Sequence, residues 1–133
     1  MLNLKFHHIG VATKHIDREF SIYQKMGYRK LEEPFCDEIQ KIKGMFIVAD
    51  NQPCLELLEN LSEEGPLTSV LSKGIKYYHT AYEVQNIEDA LSEVLNELGA
   101  MVICPITQAT YFKKICFLML KNRAIIELVE PLN

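Results

Sequence analysis

The sequence predicts an α+β fold built from two tandem βαβββ modules. Two observations carry that reading. The chain repeats itself at an offset of 71, which lays Lys5 on Lys76, His8 on His79, Ile16 on Ile87 and Pro34 on Pro105. Further on, the same offset lays Phe46 on Phe117, Glu56 on Glu127, Leu57 on Leu128 and Glu59 on Glu130. The second observation is that each half opens with a run of β-branched and aromatic residues and continues with a helical pattern. Long identical stretches are absent, so the duplication is an old one.

The elements follow in order. Phe6-His-His-Ile-Gly-Val-Ala12 and Tyr77-Tyr-His-Thr-Ala-Tyr-Glu-Val84 read as the opening strands. In the second half Asn86 is an N-cap and Gly99 a stop, with Ile87, Ala90, Leu91, Val94, Leu95 and Leu98 on one helical face between them. In the first half Ile16, Phe20 and Tyr23 do the same ahead of Gly27. Three short strands are then expected in each half, over 28–36, 41–49 and 53–59, and over 100–104, 114–120 and 124–130. The connection between the halves carries Gly65-Pro66 and a short helix from Leu67 to Ser72. The whole chain is expected to be one domain, with module one at 1–60, a linker at 61–75 and module two at 76–133.

Composition narrows the class of partner. The chain has 133 residues, 48% of them hydrophobic and 24% charged, a mix that buries a core and excludes intrinsic disorder. With a formal net charge of −4, it lacks the concentrated positive field a nucleic-acid partner requires. The longest apolar runs, such as Ile115–Leu120, are too short for a bilayer, and the N-terminus shows no signal-peptide pattern. A cytoplasmic location is expected. Cys36, Cys54, Cys104 and Cys116 form no tight cluster and read as free, mostly buried thiols.

Four residues stand out from the repeat. Glu56 follows His8 by 48 positions, and Glu127 follows His79 by the same 48. The histidines lie in the first strand of each module and the glutamates in the last. Strand alternation puts Leu55 and Leu57 on the face opposite Glu56, and Ile126 and Leu128 opposite Glu127. A carboxylate inside an otherwise apolar strand is costly unless it is compensated. Two imidazoles and a divalent cation would compensate both. Two His and two Glu suit one divalent Ni, Co, Mn, Fe or Zn ion with room left for water or substrate. Structural ion pairs without metal are the alternative. Cys54 shares the Glu56 face, as a packing residue or a soft ligand. His7 and His15, which have no counterpart, read as half-exposed residues on a solvent face, and Glu59 and Glu130, at strand ends, read as solvated.

With these residues in place, the chain resembles the vicinal oxygen chelate superfamily, and within it the methylmalonyl-CoA epimerase and glyoxalase I (lactoylglutathione lyase) branch. The resemblance rests on His8 in Phe6-His-His-Ile-Gly-Val-Ala, Glu56 in Leu55-Glu-Leu-Leu, His79 in Tyr78-His-Thr-Ala-Tyr-Glu-Val and Glu127 in Ile126-Glu-Leu-Val-Glu. It implies paired βαβββ modules forming a curled mixed sheet around a metal-binding cleft, with His8, Glu56, His79 and Glu127 as ligands. It also implies a homodimer.

The activity so implied is a metal-dependent isomerase or lyase that abstracts a proton next to a carbonyl. Glu127 is the first choice of base and Glu56 the second. The substrate would be an acyl-CoA thioester or a glutathione hemithioacetal. Against glutathione, no arginine follows His8; Asn60, four residues after Glu56, fits a glutathione contact. The third strand reads Lys43-Gly-Met-Phe-Ile, without the extra acid some epimerases carry there. Thr107–Lys114 reads as a lid that brings Lys113 or Lys114 to a phosphate or carboxylate, or as an ordinary exposed loop. The competing classes are an extradiol-dioxygenase-like enzyme and a non-catalytic drug-sequestering protein on the same fold. The fourth protein ligand disfavours the first, and retention of all four disfavours the second.

Overall fold

The computed structural model describes residues 1–133, and these form two compact units: His8–Tyr78, and Met1–His7 together with His79–Asn133. No helix is long and apolar enough to cross a membrane.

The unit His8–Tyr78 holds most of strand β1 (Lys5–Ala12), helix α1 (Ile16–Lys25), strands β2 (Arg29–Lys30), β3 (Phe35–Asp37), β4 (Ile42–Val48) and β5 (Leu55–Asn60), and helix α2 (Thr68–Ser72). β1 runs parallel to β5, β5 antiparallel to β4, and β4 antiparallel to both β2 and β3. Alternation gives the sheet two faces. Val11, Met45, Ile47, Leu55 and Leu57 pack on one of them against Ile16 and Tyr23 of α1. On the other face Ala12, Ile42 and Leu58 are covered by Leu67 and by half-buried Val70 and Leu71 of α2. His8 and Glu56 lie on this second face.

The strand expected over 28–36 is broken into β2 and β3. Lys30 pairs with Ile47 and Phe35 with Gly44, so the four residues 31–34 face only the two residues 45–46. The surplus must loop out, and Pro34, which has no amide proton to give the ladder, sits where pairing resumes.

The other unit holds most of β6 (Tyr77–Glu83), then α3 (Ile87–Leu98), β7 (Met101–Gln108), β8 (Lys114–Met119) and β9 (Ile125–Glu130). β6 is parallel to β9, β9 antiparallel to β8, and β8 antiparallel to β7. Its core joins Val84, Ile87, Val94, Cys116, Leu118, Ile126 and Leu128, and Leu2 and Leu4 from the chain start pack against it. Phe6 adds an edge-on contact with Tyr82 at 6.0 Å.

Here Pro105, the counterpart of Pro34, stays inside a strand. β7 ends the ladder order, and its pairing with β8 slips between Val102 and Cys104 and again between Cys104 and Thr107. An edge strand with irregular register tolerates a missing donor, so β7 runs on to Gln108 rather than ending near Cys104. Asn86 caps α3 through the Asp89 amide, and Gly99 terminates it in the left-handed region at φ 60°. Only Ile87 and Val94 of its apolar face are fully buried. Leu95 lies at the flank of the stripe and Leu98 in the last turn, and both are exposed.

Candidate functional site

His8 and Glu56 meet because β1 and β5 are parallel with Gly10 opposite Glu56. His8 and Gly10 share a face of β1, which places the His8 ring on the same side as the Glu56 carboxylate. His8 Nε2 lies 3.0 Å from Glu56 Oε1. Both residues are buried, His8 completely. The imidazole stands edge-on to Phe46, centroids 5.1 Å apart, and Phe46 is the residue opposite Glu56 on β4. Phe35 in turn stacks on Phe46 at 6.1 Å with planes 19° apart. Gly44 makes this possible: a Cβ there would lie 2.6 Å from the Phe35 ring and 3.2 Å from Glu56 Oε2.

The second unit builds the same arrangement. β6 is parallel to β9 with Ala81 opposite Glu127. His79 Nε2 lies 3.2 Å from Glu127 Oε1, and both residues are buried. The His79 ring stands edge-on to Phe117 at 5.1 Å, and Phe117 is opposite Glu127 on β8. Each histidine is therefore held by an aromatic ring on one side and faces a carboxylate on the other. Phe46 and Phe117, which the sequence marks as repeat matches, pack against the two histidines. Their signal was there, in the recurrence of Phe46 at Phe117 ten residues before each glutamate.

Several expectations are corrected. Glu130 is buried, not solvated: its carboxylate accepts the Ile87 amide of α3 at 2.9 Å and lies 3.5 Å from Lys113 Nζ. Glu59, its counterpart, is half-buried and accepts the Ile16 amide of α1 at 2.8 Å. These glutamates satisfy helix N-termini from the neighbouring last strand, where strand and helix are packed together. His7 is half-exposed, as expected, with its ring edge-on to Phe112, and His15 is exposed. The thiols are all free, but only Cys116 is fully buried and Cys36 is exposed. Burial pushes the Cys54 thiol up to about 11, with the Glu56 charge adding to it.

Asn60 spends both ends of its amide on the following turn. Its Oδ1 accepts the Leu67 amide at 3.0 Å and its Nδ2 donates to Thr68 Oγ1 at 3.2 Å. Lys114 Nζ donates to Glu88 at 2.7 Å, so neither lysine at the end of the 107–114 stretch is without an acidic neighbour.

A doubled βαβββ unit, with a buried His–Glu pair at the same register of each half, defines a recognisable class of protein. The family model of the Glyoxalase/Bleomycin resistance protein/Dioxygenase superfamily matches residues 7–117, and the chain belongs to that superfamily. It has the superfamily's α+β mixed-sheet fold. A hypothetical protein of Bacillus halodurans C-125 is similar at 26% identity and a TM-score of 0.84, over 98% of this chain and 96% of that one. Methylmalonyl-CoA epimerase of Mycobacterium tuberculosis superposes with a TM-score of 0.82 at 20% identity, covering 100% of this chain and 94% of its own. The Streptomyces coelicolor methylmalonyl-CoA epimerase in complex with 2-nitronate-propionyl-CoA gives 0.81 at 20% identity, over 98% and 100%. No curated protein matches the sequence significantly.

Proposed function

We propose that the protein is a divalent-metal-dependent epimerase of an acyl-CoA thioester, working as a cytoplasmic homodimer. The observation that carries this reading is the buried His–Glu pair repeated at equivalent positions of both units. The two pairs are read as halves of one centre, in which His8, Glu56, His79 and Glu127 together hold a single ion. The donor chemistry fits: two imidazole nitrogens and two carboxylates, without thiolate, suit a five- or six-coordinate Ni, Co, Mn, Fe or Zn ion. Buried carboxylates inside apolar strands are also costly without a cationic partner.

When bound, such an ion supplies Lewis-acid polarisation of a substrate carbonyl. The chain's own residues do the rest. Glu127 removes the proton next to the carbonyl, and Glu56 is the second candidate for that base. Inversion requires a proton returned to the opposite face of the same carbon, and with no further acid on the third strand Glu56 and Glu127 must act as the two partners, one taking the proton and the other giving one; return to the neighbouring carbon would be the glyoxalase reaction. His8 and His79 hold the carboxylates in place, and Phe46 and Phe117 keep the imidazoles from turning. The acyl-CoA class is supported by the ligands of the similar epimerases, solved with 2-nitronate-propionyl-CoA and with methylmalonyl-CoA. Against the glutathione alternative, Asn60 is already committed to the 65–68 turn.

Metal-loaded protein incubated with short-chain acyl-CoA thioesters in deuterium oxide should introduce deuterium next to the carbonyl, even without visible net conversion. Oxygen consumption with a catechol and no exchange would support the dioxygenase class instead. Binding with neither would support sequestration. Light scattering should give twice the 15.3 kDa chain mass; a monomer at working concentration would remove the dimer from the proposal.

A further inference from the structure

Within the unit His8–Tyr78 the two oxygens of Glu56 have different surroundings. Oε1 faces His8 Nε2 at 3.0 Å, and Oε2 turns toward Gly44 of β4. Gly44 is buried, and a Cβ built on it would lie 3.2 Å from Glu56 Oε2 and 2.6 Å from Cζ of Phe35. One carbon placed there would touch both, so the carboxylate oxygen and the tip of the Phe35 ring flank the same small space. The ring is held from several sides. β3 sets Phe35 opposite Gly44, Phe46 stacks on it at 6.1 Å, and it packs against the cluster of Ala12, Ile42, Leu58 and Leu67. The turn after β3 is closed by buried Asp37, which accepts the Ile39 and Gln40 amides at 3.1 and 2.9 Å. Phe35 is still only half-buried, so part of the ring stays open. The other unit does not repeat this device. At the repeat offset stand Ile106 and Ile115; Ile115 is fully buried, and Ile106 packs with Cys116 and Leu118 into the core beside α3.

Epimerisation brings the carbon next to the carbonyl within hydrogen-bond reach of Glu56, whether that carboxylate takes the proton or gives one. A side group on that carbon then lies against whatever flanks Oε2, and on the Gly44 side that is the Phe35 ring edge. We propose that Phe35 is a specificity-determining residue, its ring limiting the alkyl group on the reacting carbon to about the size of a methyl. The inference rests on the acyl-thioester reading above. A longer alkyl chain must push the ring away from Gly44 and Phe46, into a wall that is already packed. The ring edge offers nothing to a charged group, so the group it admits on this side is alkyl.

The test compares thioesters that differ only in that alkyl group. The metal-loaded chain is given coenzyme A esters carrying a methyl, an ethyl or a butyl group on the carbon next to the carbonyl, and deuterium uptake is followed. In the wild type kcat/KM should fall by about tenfold or more from methyl to butyl. Phe35→Ala should bring the butyl ester within about threefold of the methyl ester, and Phe35→Leu should lie between the two. The ratio is diagnostic, because a loss of folded protein scales all three esters alike. A wild type indifferent to the alkyl group, or a profile that Phe35→Ala leaves unchanged, overturns the proposal. Uptake from none of the esters, in wild type and variants alike, defeats the epimerase reading and the proposal with it. The wall is also tested without substrate. Gly44→Ala should lower the melting temperature more in the wild-type background than in Phe35→Ala, where its Cβ has no ring to meet. Equal lowering in both backgrounds means that the ring does not stand against Gly44, and overturns the proposal whatever the chemistry of the site.

Discussion

Glu130 Oε2 accepts the Ile87 amide at 2.9 Å, tying the last strand of one unit to the first turn of its helix, and Glu59 does the same for Ile16 at 2.8 Å. Helix α1 has no cap of its own, since His15 makes no side-chain bond to the first turn. Removal of either carboxylate leaves a helix amide without its acceptor in a packed setting. Glu59→Ala and Glu130→Ala should each lower unfolding free energy by about 1–2 kcal/mol. Glu130→Ala should cost the more, because Glu130 is the more buried. Urea denaturation measures both; Gln at either position, which keeps an acceptor oxygen, should recover part of the loss.

Metal content follows from the proposed centre. Protein purified without chelators should carry about one divalent ion per chain, and His79→Ala should lose most of it. Added Co or Ni should raise the melting temperature of the wild type, since an ion bound only by the folded state stabilises it. Equal metal content and equal thermal shift in wild type and His79→Ala would make the four residues structural.

Glu127→Gln keeps the shape and an oxygen donor but removes the base. Deuterium exchange should fall by roughly a hundredfold or more. If exchange stays rapid in Glu127→Gln and collapses in Glu56→Gln, the base is Glu56.

Alkaline pH should weaken the fold through Cys116. Burial, and then the neighbouring Cys104 and Glu127, push its thiol up to about 12 from an ordinary value of 9.0. The folded chain therefore keeps a proton that the unfolded chain gives up. This contribution to stability is whole below pH 9.0 and is lost as pH climbs towards about 12. Cys54, pushed up to about 11, acts in the same direction. Chemical denaturation at pH 8 and pH 10 should show the decline, and Cys116→Ala, measured against its own pH 8 value, should show less of it. In the native protein at pH 8, iodoacetamide should modify exposed Cys36 and leave Cys116 unreacted.

The sequence by itself determined the repeat and the α+β class, and it set His8, Glu56, His79 and Glu127 apart from the other polar residues; which histidine meets which glutamate came from the structure. What the sequence determined depends on local periodicity and on spacing, both of which a duplicated chain displays twice. The interruption of 28–36 was partly legible, since Pro34 stands there, yet the same residue type at Pro105 leaves β7 continuous. Which outcome holds depends on whether the partner strand offers matching residues, and that is a property of pairing rather than of either segment. Glu59 and Glu130 show the same limit: a charged residue at a strand end reads as solvated until a helix start is packed against it. Gly44 shows it most sharply. Only the register Phe35 opposite Gly44 reveals that a missing Cβ makes room for the ring stacked on Phe46, and hence for the wall behind His8. Contacts between residues distant in sequence, and the space one residue leaves for another, are decided by tertiary packing, because no local pattern encodes them.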